Sequence, residues 1–281
     1  MAICFLSYNF CGKGTALEFL TIKTKAMTTK RLDKNVTIIT GGGKGIGYGL
    51  AQAFAEEGSN LVITGRNLER LVSAKERLEE AYGIEVLPIV ADGADEAAIR
   101  NVVAKTIERF GKIDTLINNA QVSKSGLPLI EHTKEDFDLA INSGLYAAFF
   151  YMKECYPYLK ESKGSVINFA SGAGLFGKLG QSSYAAAKEG IRGMSRVAAT
   201  EWGPDGVRVN VVCPLAMTES LAEWKAGYPD LFEKTIQGIP LGRFADPKDD
   251  IGRVCVFLAS EDAHYVTGET ITLQGGSGLR P

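Results

Sequence analysis

The stretch NVTIITGGGKGIGYGLAQAFAEEG, residues 35–58, joins a β-branched run to a glycine-rich turn and then to an amphipathic segment. Val, Ile and Thr favour extended structure, and the apolar spacing after the turn is that of a helix with one buried face. When a glycine turn joins a strand to a helix, the free N–H groups of the helix N-terminus can face an anion. The stretch therefore predicts a phosphate-binding strand–turn–helix unit, with a plain tight turn as the alternative.

Six further apolar runs follow and alternate with amphipathic segments. They read NLVITG, EVLPIVAD, IDTLINN, GSVINFAS, VRVNVVCP and ETITLQG. Their content of Val, Ile and Leu is nearly continuous, which is typical of parallel strands covered on both faces. The sequence therefore predicts an α/β fold, a Rossmann-like doubly wound parallel sheet of about seven strands with helices on both faces.

Composition and charge exclude several classes of function. The chain has 281 residues and a net charge of −2, so neither nucleic acid nor an anionic membrane surface is an expected partner. Two His far apart in sequence argue against a metal site or a His-based triad. Five Cys without a CxxC pair favour a reducing compartment, and we expect a cytoplasmic protein with no membrane span.

The chain divides into an extension and one domain. Residues 33–281 hold the strand–helix alternation without a linker or repeat, and are predicted to form one catalytic domain. Residues 1–32 are an extension of uncertain role. No basic residue precedes their apolar run, which argues against a signal peptide. The extension is either an upstream start before Met27 or a short segment that packs on a neighbour or sister subunit.

The ends of the first three strands predict how a dinucleotide is held. Gly41 permits the tight turn, Gly45 lets N–H groups approach a pyrophosphate, and Gly47 lets the helix pack on the sheet. Lys44 and Arg66 could face a 2′-phosphate, which favours NADP(H). The alternative is that both are solvated cations and NAD(H) binds as well.

Asp92 follows the third strand. Its carboxylate either contacts the adenine amine or serves the local turn.

A Ser–Tyr–Lys spacing that suits proton transfer occurs twice in the chain. Ser143, Tyr156 and Lys160 lie in a mostly helical stretch, where thirteen residues separate Ser and Tyr by about 20 Å. That copy is predicted to be a coincidence. In the second copy a glycine-rich loop follows Ser171, and a helix begins near residue 183, so the chain can double back and bring Ser171 to Tyr184.

The second copy has the chemistry of an acid–base pair. Tyr184 and Lys188 lie at i and i+4 on one helix face. A charged Lys beside a phenol lowers the phenol pKa from about 10 toward working pH. Such a phenol can exchange a proton with a carbonyl or alcohol oxygen, and Ser171 can polarise the same oxygen.

These motifs, in this order, resemble the short-chain dehydrogenase/reductase family over about residues 33–280. The resemblance implies hydride transfer between a nicotinamide cofactor and a ketone or secondary alcohol. It assigns Tyr184 as the general acid/base, Lys188 to the nicotinamide ribose, and Asn142 to a water-linked proton relay. The implied catalytic set is Asn142, Ser171, Tyr184 and Lys188. The implied cofactor set is Gly41, Lys44, Gly45, Ile46, Gly47, Arg66, Asp92, Gly93, Asn119, Tyr184, Lys188, Pro214 and Thr218.

Two positions depart from the family pattern. Gln121 replaces the Gly of Asn-Asn-Ala-Gly, and Leu215 replaces the Gly after Pro214. Both are expected near the nicotinamide, where a side chain would reshape the cofactor or substrate wall. The implied substrate set is Ser171, Tyr184, Gln121, Leu215 and Trp224.

The segment after Pro214 is expected to cover the substrate. It is rich in large apolar residues, among them Trp224, which suits a bulky apolar ketone such as a ketosteroid. The alternative is that these residues are the apolar face of the lid helices. A 3-oxoacyl thioester is the second candidate substrate, although no basic docking patch for its carrier stands out.

A non-catalytic nucleotide-binding subunit is a possibility of another class, and the complete set of four catalytic residues argues against it. The resemblance also implies a homotetramer or homodimer. The helical stretches INSGLYAAFF and SYAAAKEGIRGMSRVAATEW carry more small and apolar residues than one sheet face needs, which agrees with this.

Overall fold

The computed structural model describes residues 30–278. Seven strands pair in parallel in the order β3-β2-β1-β4-β5-β6-β7. The chain leaves β1 in one direction and resumes on its other side at β4, so a crevice opens at the carboxyl ends of these strands. The predicted fold class is confirmed. The strand bounds are β1 Val36–Thr40, β2 Asn60–Gly65, β3 Val86–Val90, β4 Thr115–Asn118, β5 Ser165–Phe169, β6 Arg208–Pro214 and β7 Thr270–Leu273.

Helices connect the strands. Two of them, α5 (Ala147–Ser162) and α10 (Arg253–Ala259), follow wide turns of π-helix at Ile141–Tyr146 and Pro247–Gly252. No helix within residues 30–278 is long and apolar enough to cross a membrane. The helix bounds are α1 Gly45–Glu56, α2 Leu68–Tyr82, α3 Glu96–Phe110, α4 Lys134–Ala140, α5 Ala147–Ser162, α6 Gly172–Phe176, α7 Ser182–Trp202, α8 Glu219–Gly227, α9 Pro229–Gln237 and α10 Arg253–Ala259.

Each face of the sheet carries its own hydrophobic cluster. Ile39 and Ile63 belong to one cluster, whereas their neighbours Ile38 and Val62 belong to the other. Successive side chains of a strand point to opposite faces, so a continuous apolar run supplies both clusters at once. This alternation is the physical reason that the sequence shows runs rather than a polar–apolar pattern.

The packed domain begins slightly before the predicted boundary. Leu32 was assigned to the extension, but it is 1% exposed and belongs to one of the two hydrophobic clusters. The Arg31 guanidinium pairs with Glu57. The role predicted for the rest of the extension falls on residues 1–29, which lie outside the described residues.

In the first Ser–Tyr–Lys copy, the Ser side chain has different hydrogen-bond partners from the Tyr and Lys side chains. Ser143 Oγ donates to the Val122 carbonyl and accepts from the Val122 N–H, which ties the turn before α5 to the loop after β4. Tyr156 and Lys160 both bind Asp205. The expectation that this copy is not an acid–base site agrees with these separate partners.

Candidate active site

The glycine turn has the close approaches that its sequence predicts. Gly41 has φ +70°, a conformation that side chains rarely adopt. A Cβ on Gly47 would lie 2.1 Å from the Gly41 carbonyl oxygen, so the start of α1 can approach the turn only without a side chain there. Thr40 Oγ1 accepts hydrogen bonds from the N–H groups of Asn119 and Ala120 at 2.9 and 3.0 Å, which joins the turn to the loop after β4.

A cleft of about 600 Å³ opens at the carboxyl ends of the strands around this turn. The glycine turn at residues 41–47, where a Cβ on Gly47 would clash, leaves backbone N–H groups open to an anion. This turn and the cations of the cleft fit a dinucleotide. Most of the predicted cofactor residues line it, namely Gly41, Lys44, Gly45, Ile46, Gly47, Arg66, Asp92, Gly93, Asn119 and Thr218.

Sequence reasoning missed several lining residues, and three polar ones among them are Asn67, Arg70 and Glu219. Asn67 caps α2 and Arg70 lies in its first turn, so α2 brings a third cation beside Lys44 and Arg66. The four-residue spacing between Arg66 and Arg70 at the start of a helix was the sequence signal that could have placed Arg70 beside Arg66. Glu219 also lines the cleft and accepts a hydrogen bond from the Gly45 N–H. No local pattern pointed to Glu219, because it is far from the turn in sequence.

The candidate catalytic residues Ser171, Tyr184 and Lys188 converge beside β5. Ser171 caps the short helix α6, and its Oγ accepts from the Ala173 N–H at 3.1 Å. Its side chain also interacts with Tyr184 and lowers the pKa of that phenol. Lys188 follows one turn later on α7, with Nζ 5.6 Å from the Tyr184 ring centroid. The doubling-back of the chain that the glycine loop predicts therefore occurs.

Lys188 is buried inside the fold. It is 3% exposed, and its Nζ donates to the Phe169 carbonyl at 2.6 Å. Burial lowers the pKa of this Lys to about 7, because the charged form loses its hydration.

The expected lowering of the Tyr184 pKa does not follow from this arrangement. Burial of Tyr184 raises its pKa, and the interaction with the Ser171 side chain only partly offsets this rise. Lys188 is itself buried and easily deprotonated, so it is a weaker electrostatic partner than a fully charged Lys would be. The raised pKa keeps the Tyr184 phenol protonated near neutral pH.

Asn142 lies in the wide turn between α4 and α5, and it lines the cleft. Its carbonyl accepts from the Ala147 N–H, five residues on. Ile191, three residues beyond Lys188 on α7, also lines the cleft. The cleft therefore adjoins the face of α7 that carries Tyr184 and Lys188, although neither is part of its lining.

The Gln121 side chain packs against the wide turn that precedes α5. A Cβ on Gly144 would lie 2.6 Å from Gln121 Cδ, so the absence of a side chain at Gly144 makes room for the amide. Gln121 Nε2 lies 3.5 Å from the Ala140 carbonyl, and its Oε1 is buried without a partner among the described residues. Gln121 lines the cleft and also supports the turn that carries Asn142.

Two further candidate substrate contacts are partly buried within the lid, as are several of its large apolar groups. Leu215 and Trp224 pack against the cluster of Phe232, Ile239 and Phe244. The Trp224 and Phe232 rings are 6.0 Å apart. Neither Leu215, Trp224 nor Pro214 belongs to the lining of the cleft. This geometry favours the alternative that these side chains are the core of the lid helices.

Comparison with known proteins agrees with this geometry. Residues 41–277 match a family model described as enoyl-(acyl carrier protein) reductase. The chain is 63% identical over 255 residues to a 12alpha-hydroxysteroid dehydrogenase of a Clostridium species, a match that covers 89% of this chain and 98% of the relative. It is 38% identical to a 3-oxoacyl-(acyl-carrier-protein) reductase of Thermotoga maritima, over 88% of this chain and 98% of the relative.

A solved structure gives the same fold. The crystal structure of levodione reductase superposes with a TM-score of 0.83 at 35% identity, covering 88% of this chain and 99% of that one. The family model spans most of the chain, and the relatives are covered almost end to end. The chain is therefore an oxidoreductase of the short-chain dehydrogenase/reductase family.

Proposed function

We propose that this oxidoreductase transfers a hydride reversibly between NADP(H) and a ketone or secondary alcohol of a steroid. The observation that carries the proposal is the interaction of the Ser171 and Tyr184 side chains, with Lys188 buried one helical turn behind Tyr184. A nicotinamide cofactor bound in the cleft supplies or accepts the hydride. The residues of the chain then have to move one proton and hold one oxygen.

Tyr184 is the proton donor in the direction of ketone reduction. Its raised pKa keeps the phenol protonated near neutral pH, and the Ser171 hydroxyl adjoins the same oxygen. Ser171 polarises the substrate carbonyl through a hydrogen bond. Lys188 has a pKa of about 7, so it can take up and release protons behind Tyr184 at neutral pH. We assign Asn142, which lines the cleft, to a water-linked proton relay through Lys188.

The preference for NADP(H) rests on the cations at the adenosine end of the cleft. Lys44, Arg66 and Arg70 are exposed, line the cleft and make no ion pair with another described residue. Unpaired guanidinium groups favour a phosphate, which they can bind through two parallel hydrogen bonds. Asp92 lines the same cleft, and its Oδ1 accepts a hydrogen bond from the Ala94 N–H, which supports a role in the local turn.

A steroid substrate is supported by similarity and by the surface of two loops near the catalytic residues. The relative that is 63% identical is named a 12alpha-hydroxysteroid dehydrogenase. The loop after β5 exposes Leu179 at 94%, and the loop after β4 exposes Ile130 at 93%. The Gly126 N–H donates to the Gly180 carbonyl and joins these two loops. An apolar rim of this kind suits a bulky, water-insoluble ring system.

The first experiment is a panel assay of purified protein with NADPH and NADH. Steroids with a ketone at position 12, 3, 7 or 17 are compared with 3-oxoacyl thioesters. We expect turnover of a 12-ketosteroid, faster with NADPH, and loss of that turnover in Tyr184→Phe with cofactor affinity retained. Turnover of thioesters alone would replace the steroid proposal, and full activity of Tyr184→Phe would remove the catalytic assignment.

We also propose that the chain forms a homodimer or homotetramer through α5 and α7. Phe149 and Val197 are exposed on these helices, beside a groove that Met152, Met194 and Trp202 line as well. A second copy of the same helix pair would cover this groove by two-fold symmetry. Sedimentation that detects only monomer at micromolar concentration would contradict this.

We also propose that the protein is located in the cytoplasm, a reducing compartment. Cys155 and Cys255 are buried thiols, and burial raises the pKa of both, which makes them poorly reactive. Localisation of the tagged full-length chain by cell fractionation tests this.

A further inference from the structure

The N-terminus of α8 lies against the glycine turn. The Gly45 N–H donates a hydrogen bond to Glu219 Oε1 at 3.2 Å. A Cβ on Gly45 would stand 3.4 Å from Glu219 Oε2 and 3.8 Å from Thr218 Cγ2. Gly45 and Glu219 are 174 positions apart in the chain. A lid residue therefore meets the turn at the point where a dinucleotide would be anchored.

The electrostatic field at this point favours a negative charge. Helix α1 starts at Gly45, has no side-chain cap and has no acidic residue in its own first turn. Glu219 lies in the first turn of α8, so its carboxylate is close to the N-termini of two helices. Each N-terminus carries a partial positive charge, and Lys44 adds a full one in the same cleft. Glu219 thus supplies, from a distant part of the chain, the anion that α1 lacks.

The same donors and the same field would hold the diphosphate of a dinucleotide. Two anions cannot use the Gly45 N–H together, and like charges a few ångströms apart repel. We propose that Glu219 is an internal competitor of the cofactor diphosphate, and that its displacement couples dinucleotide binding to release of the lid helices α8 and α9. This inference rests on the proposed function, since it requires that the glycine turn binds a dinucleotide.

The lid helices α8 and α9 pack together, so loss of the Glu219–Gly45 hydrogen bond affects both of them. Thr218 Oγ1 caps α8 by accepting from the Leu221 N–H. Trp224 of α8 packs against Phe232 of α9, which is 1% exposed. The two helices therefore share one apolar cluster. The Glu219–Gly45 hydrogen bond ties the start of this unit to the glycine turn.

The test compares Glu219→Gln with Glu223→Gln. Glu223 is an exposed carboxylate one turn later on the same helix, so the control variant makes the same change of charge away from the glycine turn. Dissociation constants are measured by calorimetry for NADPH, for NADH and for adenosine 2′-monophosphate, which lacks the diphosphate. Tryptic cleavage after Lys225 in α8 is followed in the ligand-free proteins.

We expect Glu219→Gln to bind NADPH and NADH about two- to fivefold more tightly, the size of one charge at an exposed helix N-terminus. Its affinity for adenosine 2′-monophosphate should stay unchanged, and its lid should be cleaved faster than that of wild type. Glu223→Gln should match wild type in every measurement.

Unchanged or weaker dinucleotide binding by Glu219→Gln would overturn the inference, whatever the cleavage rate. Equal tightening by Glu223→Gln would overturn it as well, because the effect would then be one of overall charge. If wild type binds neither dinucleotide, the proposed function fails. The cleavage rates then still decide whether Glu219 holds the lid.

Discussion

Replacement of Lys188 by Met should stabilise the ligand-free protein at neutral pH while it abolishes turnover. The pKa of this Lys falls from 10.5 to about 7 in the folded chain, because burial penalises the charged form. At about 1.4 kcal/mol for each pKa unit, charging Lys188 costs the fold about 5 kcal/mol. At pH 7 about half of the folded molecules carry that charge. The free energy of unfolding is therefore about 4 kcal/mol lower at pH 7 than at strongly alkaline pH.

The loss of one hydrogen bond offsets part of this gain. Lys188 Nζ donates to the Phe169 carbonyl, and such a bond contributes about 1–2 kcal/mol. Lys188→Met should therefore raise the free energy of unfolding by about 2–3 kcal/mol at pH 7.

The dependence on pH identifies the cause. Between pH 7 and 10.5 the unfolded wild-type chain binds more protons than the folded one, so wild-type stability rises with pH across that window. The advantage of Lys188→Met should therefore shrink by about 2 kcal/mol between pH 7 and pH 9. Urea unfolding at fixed protein concentration, at both pH values, measures it.

Lys160→Met is the matched control. Lys160 is the Lys of the first Ser–Tyr–Lys copy, and Asp205 raises its pKa. Folded and unfolded chains therefore both keep this proton through pH 7–9, and the effect of Lys160→Met should not vary with pH. An advantage of Lys188→Met that is equal at pH 7 and pH 9, or a Lys188→Met variant less stable than wild type at pH 7, would refute the reasoning.

Three further predictions follow from the same geometry. Alcohol oxidation should accelerate as pH rises above neutral, because burial raises the pKa of Tyr184 and oxidation needs its phenolate; a kcat/KM profile that is flat from pH 6 to 10 would contradict this. Gly47→Ala should abolish dinucleotide binding and destabilise the fold by more than about 2 kcal/mol, because its Cβ would lie 2.1 Å from a backbone oxygen. Gly193→Ala on α7, whose Cβ meets no atom within 4 Å, should instead be neutral or stabilising by up to about 1 kcal/mol, and urea midpoints compare the two. Gly144→Ala should cost about 1–3 kcal/mol in wild type and much less in a Gln121→Gly background, because the added Cβ would meet the Gln121 amide; a double-mutant cycle without coupling would exclude that contact.

The sequence by itself determined the parallel sheet, the glycine turn and which Ser–Tyr–Lys copy can assemble. Each of these follows from short-range chemistry: β-branched runs, glycines at a strand end, and a flexible loop between Ser171 and the helix of Tyr184. The fold class was therefore predictable without any contact between distant residues.

Only the tertiary structure decided what surrounds those residues. Burial sets the pKa directions of Tyr184 and Lys188, and burial is a property of the packed chain rather than of a motif. Trp224 turned out to pack within the lid, since apolar periodicity is the same for a lid core as for a substrate wall. The meeting of Glu219 with Gly45 joins segments 174 residues apart, and no local pattern encodes a contact that depends on how the whole sheet is wound.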